Sequence, residues 1–184
     1  MSTETILKIL RGLDQVGRWL GVIAMLLMLL MIGAMIWEVV ARRGFNAPTM
    51  WANTVSYMFN GTLFLLGAAF TLRANQHVRI DFASSRLPLR VQHAINAVFY
   101  LGIFLPALAL TANFAIGKAV KAYDRGTLES MSAWEPVIWP FLTGIAIGLA
   151  SFALQVLIEA IRHLIGLWRP GAVPPPSARE QATA

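Results

Sequence analysis

Four stretches of this chain contain no aspartate, glutamate, lysine or arginine: Trp19 to Trp37, Gly44 to Leu72, Val91 to Gly117 and Pro136 to Ile158. Their lengths are 19, 29, 27 and 23 residues. A hydrocarbon core of roughly 30 Å takes about 20 helical residues to cross, so each stretch is matched to one passage. Backbone inside lipid must satisfy its own hydrogen bonds, which leaves helices or a closed barrel. Barrel strands alternate apolar and polar residues, and the run AMLLMLLMIGAMIW does not. The expected fold is therefore an all-α integral membrane protein of four transmembrane helices, at about 19–41, 50–72, 91–117 and 136–160.

The flanks read differently. Ile6, Ile9, Leu10, Leu13, Val16 and Leu20 recur at helical spacing, with Lys8, Arg11, Gln15 and Arg18 on the opposite stripe. Residues 1–18 are expected to form a short amphipathic helix, either lying on the inner membrane surface or extending the first span. The apolar part of that span exceeds the usual signal-peptide core and no small-x-small site follows, so an uncleaved first helix is expected. Residues 169–184 hold Pro174, Pro175 and Pro176 among small and polar residues, and are expected to be a disordered tail.

Alternate flanking segments hold ten lysines and arginines against five. The positive-inside rule places the ten in the cytoplasm, with both termini inside and the segments at 41–50 and 118–135 outside. All six tryptophans, Trp19, Trp37, Trp51, Trp134, Trp139 and Trp168, fall near expected span ends, where amphipathic rings sit at headgroup depth. The net charge of +6 is thus a matter of topology, since no basic helix or aromatic RNA-binding motif accompanies it and no nucleic acid partner is expected.

Chemistry is sparse. There is no cysteine, which excludes disulfides, thiolate metal sites and covalently attached haem. The three histidines, His77, His93 and His163, show no metal-ligand spacing within a span, and no facing pair is expected. Carboxylates are expected at membrane borders, and neither a phosphate loop nor an activated nucleophile is present. No enzyme activity and no cofactor are expected. Asn60 and Asn113 are polar residues inside spans, suited to a hydrogen bond with another helix or to lining a pathway. Gly144 and Gly148 form a GxxxG along which another backbone can approach. Glu38 and Arg42 stand four apart, as an intrahelical ion pair or a functional one.

Between Arg43 and Arg90 run R-x-F-N-A-P-x-x-W, then F-L-L-G-A-A-F-T-L-R, then H-V-R-I-D. This resembles the small, DctQ-like membrane subunit of tripartite ATP-independent periplasmic (TRAP) transporters. Phe45, Pro48 and Trp51 correspond to the family's residues before the second span, Gly67 and Ala68 to its Gly-Ala stretch, and His77, Val78, Arg79 and Asp81 to its cytoplasmic motif. Ser132 to Pro140, with Trp134 and Glu135, resembles the entry to the last helix in branches associated with organic acid uptake. Many members carry acidic residues where this chain has Asn53 and Thr54, so no role of those carboxylates carries over. In the H-V-R-I-D segment, Arg79 suits a headgroup phosphate or a partner carboxylate and Asp81 suits a cap.

The resemblance implies a bacterial inner-membrane complex in which a periplasmic solute-binding protein captures the solute and a large multispanning subunit moves it with sodium. The small subunit braces the large one among the membrane lipids. The rival reading from the residues alone is a self-contained oligomeric channel or small carrier, lined by the Asn60 and Asn113 faces.

Overall fold

The computed structural model describes residues 3–73, 88–130 and 132–168. Helix α1 runs Thr3–Gly44, α2 Trp51–Arg73, α3 Leu89–Phe99, α4 Leu105–Asp124 and α5 Trp139–Trp168. A π-helical turn, Tyr100–Phe104, joins α3 to α4 in one continuous rod. Four stretches are long and apolar enough to cross a bilayer: Gln15–Gly44, Trp51–Leu72, Arg90–Asp124 and Trp139–Trp168. The all-α fold with four such helices is as the charge-free runs require.

The N-terminal segment is not a separate element. At about 1.5 Å per residue, the 42 residues of α1 make a rod of roughly 63 Å, about twice the hydrocarbon thickness. No break divides the segment from the span. The tail at 169–184 and the motif residues His77, Arg79 and Asp81 lie outside the described residues.

The π turn has a local cause. Pro106 has no N–H to return to the carbonyl of Gly102, and its ring crowds that carbonyl. The ladder slips by one residue, so Leu105 N–H bonds to Tyr100 O.

The helices do not close into a bundle. α1 packs on α2, α2 on α5, and the α3–α4 rod on α5, while α1 only grazes α5. The spans therefore lie side by side in the order first, second, fourth, third, as a layer one helix thick. A closed four-helix bundle would give each helix two flanking partners.

The seam between α2 and α5 is the tightest part of the layer. A Cβ added at Gly148 would lie 2.7 Å from Leu65 Cβ, and one at Gly144 would lie 2.7 Å from Thr62 Oγ1. The GxxxG stripe, a candidate contact for another subunit, is thus filled by α2 of the same chain. Gly67, by contrast, faces open space. The largest wholly shielded side chains, Val156, Ile158, Glu159 and His163 on α5 and Leu72 on α2, cluster at one end of this seam.

Candidate functional site

Polar side chains gather at the two ends of the layer. At the end where α2 begins, three side-chain contacts fasten loops to helices. Glu38, held on the buried side of α1, accepts from Arg42 Nε at 2.9 Å and from Nη2 at 2.6 Å. Its other oxygen accepts from the Thr49 backbone N–H at 2.9 Å and from the Thr49 hydroxyl. The intrahelical pair is present, and Glu38 also anchors the connection to α2. That connection turns because Asn46 adopts a left-handed φ of 51°, which returns Ala47 N–H to Ala41 O at 3.0 Å.

The second and third contacts join α2 to the α4–α5 connection. Tyr57 donates its hydroxyl to Glu129 Oε2 at 2.7 Å, and Thr54 Oγ1 donates to Ser132 Oγ at 2.7 Å. The connection is stiffened by one antiparallel bridge, Leu128 to Val137, with Glu129 N–H on Pro136 O at 2.8 Å and Ile138 N–H on Thr127 O at 3.1 Å. Gly126 and Glu135, with φ of 57° and 44°, make its turns. Thr54 is therefore half of a fastening between α2 and this connection.

Around these anchors the motif residues are laid open. Phe45 is 75% exposed, and Pro48, Trp51, Trp134 and Glu135 are exposed beside it in sequence or on the facing connection. The structure thus brings the two aromatic motifs to the same end of the layer. It does not bring Asn60 and Asn113 together, because they sit on α2 and α4, with α5 between. Both amides face outward. Asn60 lies in an exposed stripe of α2 with Asn53, Tyr57 and Phe64, so the expected contact with another helix is not made inside this chain.

The opposite end corrects one expectation. His93 on α3 and His163 on α5 do face each other, with Nδ1 to Nδ1 at 2.9 Å and each ring only 2% exposed. Glu159, at the same end, is 0% exposed and is paired with Arg162 Nη1 at 2.7 Å. Tyr100, placed by the π turn, stacks on His163 with ring centres 5.8 Å apart and planes 17° apart. A Cβ on Gly166 would come within 2.9 Å of the His93 ring, so only glycine admits the imidazole there.

This pair is bonded ring to ring. Two imidazoles on opposite sides of one metal ion at about 2.0–2.1 Å each would stand about 4 Å apart. Among the described residues, no three His, Asp or Glu side chains are grouped so as to hold a metal ion. The pairing joins residues 70 positions apart, which local spacing does not register. The available signal was depth: His93 opens one charge-free run and His163 lies just past the end of another, so antiparallel neighbours bring them level.

A groove of about 370 Å³ between α4 and α5 is lined by Ile116, Val120, Tyr123, Trp139, Thr143 and Ile147, among others. Its walls offer an anionic solute no counter-ion and suit an acyl chain.

The chain is similar to the sialic acid TRAP transporter permease protein SiaT of Haemophilus influenzae (strain 86-028NP), 23% identical over 96 residues. That stretch covers 52% of this chain and 15% of the relative's length. The model of the family described as tripartite ATP-independent periplasmic transporters, DctQ component, matches residues 31–166, which takes in all four spans from the second half of the first onward, and this chain belongs to that family.

Proposed function

We propose that this chain is the small accessory subunit of a TRAP-type secondary transporter in a bacterial inner membrane. It braces the large transport subunit, and its outer connections help to dock the periplasmic solute-binding protein during sodium-coupled uptake of an organic acid. On this reading the ten-residue charge set places the His93–His163 end in the cytoplasm and the Trp51–Trp134 end outside. The relative's named solute, sialic acid, is itself an organic acid.

The observation that carries the bracing role is the outward amide of Asn60 in the middle of α2. An amide facing hydrocarbon with no partner is unfavourable by about 2–7 kcal/mol, so a second protein supplying a hydrogen bond is strongly favoured over bare lipid. The open layer supports the same reading, since each of its broad faces is free to lie along a larger subunit.

Affinity purification of the tagged chain from mild detergent, with mass spectrometry of what accompanies it, tests the role. A stoichiometric large multispanning protein is the expected companion, and Asn60→Leu is expected to lower its recovery while leaving the amount of this chain unchanged. A homogeneous oligomer of this chain alone, conducting or transporting on its own, would overturn the proposal. Docking is tested separately by exchanging Trp134 and Glu135 for alanine. Reduced uptake at unchanged complex abundance is expected, and normal uptake would remove the docking role.

A further inference from the structure

The outward faces of the spans are not alike. On α1 the exposed side chains at bilayer depth are mostly aliphatic, as at Leu26, Leu29, Leu30 and Ile36, and lipid tails accept these without loss. The second span is the least apolar of the four, and below Trp51 its exposed side chains are Asn53, Tyr57, Asn60 and Phe64. These stand four, three and four residues apart, and the same alternation continues to Gly67 and Thr71. Alternating steps of four and three keep one stripe of a helix against one neighbouring helix, which it crosses at about 20°.

Two features of the stripe suit protein rather than lipid. Tyr57 and Thr71 spend their hydroxyls inside the chain, on Glu129 and on the Ala68 carbonyl. Asn53 and Asn60 make no hydrogen bond among the described residues, and at about 1.5 Å per residue Asn60 lies about 14 Å below Trp51, where acyl chains offer no partner. Deeper still, a Cβ added at Gly67 would meet nothing within 4 Å, while the Phe64 ring beside it is 71% exposed. A missing side chain next to a projecting ring is a hole that a side chain of a neighbouring helix can enter. Asn113 on the rod also faces outward, but Leu110, Phe114 and Ile116 around it are exposed and apolar, so it belongs to no comparable stripe.

We propose that this α2 stripe seats a single transmembrane helix of the large transport subunit, which presents a hydrogen-bonding side chain level with Asn60 and a bulky apolar one at Gly67. The assignment rests on the bracing role proposed above and names the face that performs it. A second copy of this chain fits the stripe less well. Pairing α2 with α2 about a twofold axis sets identical residues opposite each other, so Gly67 would meet Gly67 and the hole would have no side chain to fill it. In the Haemophilus influenzae relative the matched stretch is 15% of the length of a permease, so there the counterpart of these helices shares its chain with much further sequence.

The test uses the full chain in its native membranes, with the photo-reactive residue p-benzoylphenylalanine placed in turn at Phe64, at Leu29 on α1 and at Leu110 on the rod, all well exposed. Irradiation is followed by purification of the tagged chain and mass spectrometry of the cross-linked peptides. Phe64 is expected to give the dominant product, joined to one transmembrane segment of the large subunit. Adding Asn60→Leu is expected to lower that yield roughly three- to tenfold, the effect of one interhelical hydrogen bond in a membrane, and Asn60→Gln to restore part of it. Gly67→Leu, which fills the hole, is expected to lower it likewise. If the large subunit accompanies the chain but Leu29 or Leu110 matches or exceeds Phe64, bracing stands and this face is the wrong one. A Phe64 product joining two copies of this chain, no protein product at Phe64, or yields indifferent to both Asn60→Leu and Gly67→Leu would each overturn the assignment as well. If no large multispanning protein accompanies the unmodified chain, the bracing role itself falls and takes the assignment with it.

Discussion

Replacing Gly148 by alanine puts a methyl group where Leu65 already stands. The new Cβ would sit 2.7 Å from Leu65 Cβ and 3.5 Å from its backbone carbonyl carbon. Carbon atoms rest about 3.5–4.0 Å apart, so the overlap is about 1 Å. Leu65 cannot rotate away, because a Cβ is fixed to its backbone, and the two helices must part. Overpacking of this kind costs about 1–3 kcal/mol, set against a gain of about 1 kcal/mol for removing a glycine from a helix interior. Gly67→Ala is the internal control, since nothing lies within 4 Å of its added methyl. The propensity gain cancels in the comparison, leaving Gly148→Ala about 1–3 kcal/mol less stable than Gly67→Ala. Thermal unfolding of both proteins in one detergent reads the difference, at a few degrees per kcal/mol for a chain of this size. Equal midpoints, or a higher midpoint for Gly148→Ala, would show that α2 and α5 are not in the contact described.

Three further outcomes are expected. Tyr57→Phe and Glu129→Ala remove the same hydrogen bond, so a double-mutant cycle should return a coupling of about 1 kcal/mol, and strict additivity would contradict the contact. Glu38→Ala releases both Arg42 and Thr49, and limited proteolysis should cut the connection at residues 45–50 faster than in the parent protein; an unchanged rate would mean that Glu38 does not anchor it. Arg162→Leu removes one charged partner of the buried Glu159 carboxylate and should lower the midpoint in the same unfolding assay; an unchanged midpoint would contradict the pair.

What the sequence made legible follows from which forces act locally. Charged groups are expelled from hydrocarbon, so the gaps between them mark the four spans. The Glu38–Arg42 pair follows from helical spacing, and the need for a close neighbour at Gly144 and Gly148 follows from their missing side chains. The identity of that neighbour does not, because helices that are apolar nearly all round carry no signal of which face meets which. For the same reason the outward direction of Asn60 was beyond reach, and depth alone sets His93 level with His163 without showing that their faces meet. Thr49 as second partner of Glu38 depends on a turn at Asn46 rather than on helical spacing.

The order of the spans in the layer also fixes the order in which they can find support during synthesis. The second span meets the first as soon as it enters the membrane, because they are neighbours in both chain and space. The third has its main contact with α5, which is made last. Until then the Leu89–Asp124 rod must hold its place across the bilayer on its own hydropathy, with Pro106 already in its middle and no helix beside it. Insertion of this chain is therefore most vulnerable in the interval between the third span and the fourth, and completion of α5 at once supplies the packing surface for both the second span and the third.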